Sequence, residues 1–505
     1  VADQRDGTPR PPVVTGSHGR VALRNAGFLL IQRGGLIAAG FLFATVVPRL
    51  MGPELYGRYS LVLSLTTLFV ASSALGFTEV VGRHVPGLRA KPDPSDLRRL
   101  FGNLITLRLA SSALAACAYL AITILWLREL DPVALGAAAG AVLARGLSQC
   151  LFSFFLGMNQ AARWGAAELM TRWLLLVFVI PGFMLGGFRG ACVGLLLTEL
   201  AVAAVGLWWN RGHLSWGWLR LDLGYVTPYL RFGAGFFGGT LLSIAFHGSG
   251  EVLVRAISRD YAQVSYFGLA NGVFLTAVAA MQQLSMAFAA PLVTLHERGE
   301  GETLGHGVRR LVSWLTSGSM MIVFGVLLLG MDLVPPILGP FYAPVATNLI
   351  PMTLMLLVVS LSSTAGVVVL THDRPGVALV GAGIRLLAFG ALAPWLIGRW
   401  ASLGACVAKL LASTLHAAYL GWQVRAAISR ALRAWVTTVG LGALFLPLLL
   451  LRGAGPVNAA LYVVFLGGYF GVLMRARIIT GDDIRGAWTA VTQAGRRPGA
   501  RDDRA

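Results

Sequence analysis

NAGFLLIQRGGLIAAGFLFATVVPRL, residues 25–50, is apolar almost throughout and long enough to cross a bilayer as a helix, yet it holds Arg33 beside Gly34 and Gly35 well inside the run. Runs of this kind decide the fold class because they recur. Apolar stretches of ~20 residues, enough for a hydrocarbon core ~30 Å thick, appear about fourteen times. They fall at 26–48, 59–81, 101–126, 133–155, 164–185, 190–208, 229–247, 264–288, 311–333, 345–368, 377–397, 401–422, 435–451 and 457–473. Composition agrees: the 505 residues are 56% hydrophobic and 12% charged, with mean hydropathy +0.71, far from the balance of soluble domains. The runs are continuously apolar rather than alternating, which excludes a transmembrane barrel. The expected fold is therefore an all-α polytopic membrane protein, its backbone polar groups satisfied within helices.

Residues 1–20 are polar and expected to be disordered, and the first apolar run is too long for the core of a cleavable signal. Cys117, Cys150, Cys192 and Cys406 lie in apolar runs without CxxC spacing and read as small packing residues. The formal charge of +19 would suit nucleic acid, but the placement of the bases argues otherwise. With the N-terminus inside, most Lys and Arg fall in cytoplasmic segments, the positive-inside pattern. Both termini are then cytoplasmic, and the basic tail 475–505 is a face for anionic lipid.

Six bases remain inside the spans: Arg33, Arg108, Arg145, Arg172, Arg385 and Lys409. An arginine near mid-bilayer costs at least ~2.5 kcal/mol, so it faces a partner or a wet cavity, or snorkels to the headgroups. Arg33, Arg108, Arg172 and Arg385 each lie about two helical turns, ~10–13 Å, from the cytoplasmic start of their span. Glu168 stands at i,i+4 from Arg172, as Glu79 does from Arg83 and Glu251 from Arg255. The other five bases have no acid at that spacing, so the surplus is positive and suits an anionic substrate. Gly34 and Gly35 remove bulk beside Arg33 and allow a bend toward the cavity. Glu199 is the mid-depth carboxylate without a local base, which makes it a coupling candidate or one half of an interhelical ion pair.

The unit PRLMGPELYGRYSLVLS (48–64) and the unit VRAISRDYAQVSYFGLANG (254–272) each place a short polar turn before an aromatic-led helix, with Tyr59 and Phe267 in register 208 residues apart. The implied plan is an N-lobe at 21–210, a linker at 211–224, a C-lobe at 225–425, two extra helices at 426–474 and the tail. GPELYGRYSLVLS with the ALGF that follows it, YLRFGAGFFGGTLLSIAFHGSGEVLV (229–254), SYFGLANGVF (265–274), AFAAPLVTL (287–295), VPPILGPFYAPVATNLIPM (334–352) and SLGACVAKLLAS (402–413) carry a resemblance across nearly all of the membrane part. In their order and spacing the chain resembles the polysaccharide-exporter branch of the multidrug/oligosaccharidyl-lipid/polysaccharide flippase superfamily. The resemblance implies a V-shaped, alternating-access bundle in the bacterial inner membrane that moves a glycan linked to polyprenyl diphosphate. It implies glycosyltransferases and a polysaccharide polymerase as partners. Where many members have an aspartate late in the seventh span, this chain has Glu251, a second coupling candidate. The residue-level reading meets the resemblance at the arginines, because a diphosphate matches their planar, permanently charged fork.

The two lysines, Lys91 and Lys409, stand outside any GxxxxGK[ST] loop, so the chain is not a P-loop ATPase. No cofactor is expected; a proton or sodium gradient, the membrane potential or the substrate gradient must supply the energy. Short outer loops argue against a membrane glycosyltransferase. HERGEGETLGHG (296–307) holds metal-ligand types but reads as a solvated loop, and no metal is expected. His247 and His416 read as packed, neutral histidines before they read as proton carriers. Tryptophans crowd the span ends as an interfacial belt. A lipid II flippase and a cation-coupled multidrug antiporter remain as alternative functions, the second disfavoured because a cavity for cationic drugs wants acids.

Overall fold

The computed structural model describes residues 16–89, 95–158, 160–212, 221–372 and 374–478. Among these every regular element is a helix. The helices are α1 (Gly16–Ser72), α2 (Phe77–Arg89), α3 (Ser95–Trp126), α4 (Pro132–Gly157), α5 (Ala161–Asn210), α6 (Leu223–Ser258), α7 (Tyr261–Glu297), α8 (Gly301–Leu338), α9 (Ala343–Thr371), α10 (Pro375–Gln423), α11 (Arg425–Ala443) and α12 (Gly455–Arg475).

Among the described residues ten helices are long and apolar enough to cross a membrane, or eleven when the arms of α6 that meet at 56° count as one span. Three of them run for about twice the length of a crossing and fold back on themselves. α1 turns at Gly52 (φ 72, ψ 167), after which Pro53 supplies a preset φ for the next first turn. α5 turns at Gly186 and Gly187, and α10 at Ala401. In α5 the arms touch backbone to backbone, since a Cβ at Gly190 would stand 1.8 Å from the carbonyl oxygen of Gly182. Counting both arms of each hairpin gives the fourteen crossings that hydropathy predicts.

Several boundaries differ from expectation. α1 begins at Gly16, inside the segment read as disordered, and it stays helical through Gly34 and Gly35, so its turn is at Gly52 instead. The second span does not run unbroken over 59–81: the helix stops at Ser72 and restarts as α2 at Phe77, with Leu75 and Gly76 at positive φ. The thirteenth ends in a 3-10 turn, Leu446–Leu451. HERGEGETLGHG is no extended loop, because α7 runs to Glu297 and α8 starts at Gly301. Most of the linker and of the basic tail lies outside the described residues.

The second span and α6 run antiparallel as the seam between the two halves. A Cβ at Gly57 would stand 1.8 Å from the carbonyl oxygen of Tyr261, and one at Gly76 would stand 2.4 Å from that of Gly233. The first turns of α6 are tied to the N-terminal half: Arg99 pairs with Asp222 at 2.7 Å, Asn103 accepts from the Asp222 amide at 2.6 Å, and His84 meets Tyr229 edge-on. Val226 is buried there with Phe77, Val80 and Phe101. Of the last two crossings, α12 packs on α8 through a stack of Phe324, Phe465 and Tyr469, and α11 joins the same cluster through Trp435 and Val439.

Candidate functional site

Each half of the molecule sets one buried acid near two bases, of which Lys409 alone is buried. In the N-terminal half Glu199 is 1% exposed, and its Oε1 lies 3.8 Å from Arg145 Nε. Arg172 is within electrostatic reach of both and of Glu168. Arg145 and Arg172 come from facing helices, α4 and the first arm of α5, while Glu199 comes from the returning arm; the tight hairpin at Gly186 and Gly187 brings them to one depth. The interhelical reading of Glu199 is the geometry observed. The contact uses Nε of Arg145, and its side chain stays 26% exposed.

In the C-terminal half the acid is Glu251 and the bases are Lys409 and Arg385. Lys409 is fully buried; its Nζ donates to His247 O and Asn271 Oδ1, each at 3.0 Å, and faces the rings of Phe246, Phe267 and Phe389 at 5.2, 5.0 and 5.8 Å. Two oxygens and three π faces replace the ammonium's water. Asn271 turns its amide nitrogen to Glu251 Oε1 at 3.4 Å, so one amide faces the ammonium with its oxygen and the carboxylate with its NH₂. Ser64, from the other half, donates to Gly248 O at 2.8 Å and to Glu251 Oε2 at 3.4 Å. Arg385 lies over Phe246 at 4.4 Å and donates to Ser243 Oγ at 3.2 Å, while its Nε is buried without a partner.

Arg108 joins neither cluster. It is 2% exposed, donating through Nε to Gly146 O at 3.0 Å and through NH2 to Val70 O at 3.3 Å and Gln149 Oε1 at 3.0 Å. Val70 lies in the last turn before the break at Ser72, where carbonyls lose their helical partners. In lipid such carbonyls must be satisfied by protein, and Arg108 and Ser111, which donates to Ser73 O at 3.0 Å, do this. Arg33 lies on α1, with its side chain outside the description. Arg255 does not pair with Glu251 along its own helix; it reaches Glu129 at 2.5 Å.

Sequence reasoning missed Asn271 and Ser64, whose signal was only a polar residue within an apolar run. Trp435, read as part of the interfacial belt, instead donates inward to Leu357 O at 2.8 Å. Among the described residues no group of three or more His, Cys, Asp or Glu could hold a metal ion.

The fold has solved relatives. An inward closed structure of the lipid II flippase MurJ matches with TM-score 0.63 and 14% identity, covering 90% of this chain and 99% of that one. An inward-facing multidrug resistance MATE family transporter of the MOP superfamily matches with TM-score 0.63 and 13% identity, covering 82% and 99%. An outward-facing member of that MATE family matches at 0.51 and 12%, covering 82% and 96%. No curated protein sequence matches the chain. The family model described as polysaccharide biosynthesis protein matches residues 22–294, which takes in α1 through most of α7. The chain is a multi-pass membrane protein of the polysaccharide biosynthesis protein family.

Proposed function

We propose that the protein is a flippase that moves polyprenyl-diphosphate-linked oligosaccharide across the bacterial inner membrane for surface polysaccharide synthesis, with both termini in the cytoplasm. The observation that carries this reading is the family match over residues 22–294. The charge balance supports the substrate class: Glu199 and Glu168 stand near Arg145 and Arg172, while Glu251 stands near Lys409 with Arg385 beyond it, so the C-terminal half keeps one base beyond its acid. A surplus cation held in low dielectric favours an anion such as a diphosphate. Arg145 and Arg172, with Arg33 and Arg385, are the residues assigned to it. Glu251 and Glu199 are the groups assigned to coupling with a proton or sodium gradient. Glycosyltransferases that build the glycan and a polymerase that consumes it are the partners of this step.

A second reading, lipid II transport, is favoured by the likeness to MurJ over 90% of the chain. Proteoliposomes decide between them. Flipping of a labelled polyprenyl-diphosphate oligosaccharide is expected, with excess lipid II competing weakly. Strong competition and direct flipping of lipid II would move the assignment to peptidoglycan, and efflux of a cationic dye with neither lipid moved would make the protein a drug antiporter.

A further inference from the structure

At the end of the bundle that carries the Gly52 turn, one carboxylate joins the two halves. Glu129 accepts from Arg255 NH2 at 2.5 Å and from the Tyr261 hydroxyl at 2.7 Å. Glu129 lies in the short connection between α3 and α4, whereas Arg255 is in the last turn of α6 and Tyr261 opens α7.

Both sides are held stiffly. The Glu129 connection is pinned by Leu127 and Leu130, 1% and 3% exposed, and by Asp131, which caps α4 through the Val133 amide and pairs with Arg189 of the α5 hairpin. Across the seam, Asp260 caps α7 through the Ala262 amide at 2.8 Å, and Arg259 makes the turn in left-handed conformation. The Tyr261 ring lies between two guanidinium groups, Arg255 at 4.2 Å on its own side and Arg58 at 5.2 Å from the other half. A further bond across this end is also polar, from the Tyr342 hydroxyl to Pro48 O at 2.8 Å. Around these bonds Tyr56, Leu127, Leu130 and Val254 pack in one apolar core and Gly57 lies against the Tyr261 backbone, so opening parts this packing too, and the charge-assisted bonds are the directional contacts that hold it in register.

We propose that Glu129, Arg255 and Tyr261 form a latch that closes the two halves at the Gly52 end and must break for that end to open. The latch rests on the alternating-access reading of the function, but it concerns the conformational equilibrium and its test needs no substrate. In a flippase it sets how often the outer mouth is available.

Spin labels on cysteines at Leu185 and Phe341, which are 90% and 75% exposed at this end, report the opening as a distance distribution in lipid nanodiscs, with Cys117 replaced by Ala. Glu129→Gln and Arg255→Gln are each expected to raise the long-distance population about fivefold, the size expected for a partly exposed charge-assisted bond. The exchanged pair Glu129→Arg with Arg255→Glu is expected to return it most of the way. Unchanged distributions in both single variants would overturn the latch, as would a rise that the exchange does not reverse. A latch that behaves as expected in a protein that flips no lipid would leave the latch standing and remove the assigned function.

Discussion

Gly187 and Ala401 hold nearly the same backbone conformation, φ 58, ψ −140 and φ 47, ψ −125, at the turns of the α5 and α10 hairpins. This region suits the first central residue of a type II′ turn, where glycine is the natural occupant. A Cβ there costs about 1–3 kcal/mol. Ala401→Gly is therefore expected to raise the melting temperature in detergent and Gly187→Ala to lower it. A lower melting point for Ala401→Gly would show that the alanine is not strained.

The same hairpins show which parts of the fold are legible in sequence. Continuous apolar runs reveal crossings because nothing else needs that length, and even the single-residue turn at Gly52 leaves a Pro and polar neighbours around it. The break between Ser72 and Phe77 leaves no such mark: SALGF contains no proline, and the contacts around the break come from other helices, Arg108 on Val70 O and the Gly233 backbone against Gly76. For the same reason Arg108 looked like a free cation. Its partners are backbone carbonyls, which a sequence does not distinguish from one residue to the next. The Glu199 to Arg145 contact was legible only as an alternative, because an interhelical partner depends on hairpin register rather than on i,i+4 spacing.

The Lys409 ammonium and the Glu251 carboxylate are predicted to be energetically coupled through Asn271. Lys409→Met removes the cation but leaves Glu251 buried, which costs about 3–5 kcal/mol when one partner of a buried pair is lost. Adding Glu251→Gln should recover a substantial part of that loss, and Asn271→Leu should weaken the coupling in the double-mutant cycle. Additive effects in thermal unfolding would mean that the two charges are independent.

Cysteines answer the orientation directly. On the positive-inside reading the Gly52 end lies outside, so Glu54→Cys should react with an impermeant thiol reagent in intact cells, while Gly87→Cys and Gly301→Cys should be protected until the cells are broken. All three positions are exposed on the protein, so burial cannot produce the pattern. Labelling at Gly87 and Gly301 alone would invert the topology.

The latch is predicted to ignore pH across the physiological range. Burial pushes the Glu129 carboxyl up, but the hydrogen bonds from Arg255 and Tyr261 outweigh this and hold it at about 2, against an ordinary value of 4.5. With the folded value below the unfolded one, the contribution is fully present above the ordinary value and is lost as pH falls through about 2. The Leu185 to Phe341 distance distribution should therefore be the same at pH 5 and pH 8. A shift between them would assign control of this end to a different titrating group.

The sharpest test of the anion assignment compares Arg145 with Arg108. Arg108 donates to Val70 O, Gly146 O and Gln149 between α1, α3 and α4, so its loss removes three contacts that tie those helices together; Arg145 stays 26% exposed beside a single distant carboxylate contact. Arg108→Lys should lower the melting temperature, because an ammonium cannot span the three acceptors, yet leave affinity for a polyprenyl-diphosphate glycan near that of wild type in the folded fraction. Arg145→Lys should do the reverse, keeping the fold and losing a bidentate charge-assisted contact of roughly 1.5–3 kcal/mol, about ten- to a hundredfold in affinity. Arg33, two turns into the first crossing, belongs with Arg145 if it faces the substrate and should show graded loss from Arg through Lys to Ala. If it snorkels, Lys replaces it fully, since a flexible ammonium reaches the headgroups as easily. Binding measured at matched protein levels separates these outcomes: unchanged affinity in both Arg145→Lys and Arg33→Ala would remove the diphosphate from the arginines altogether.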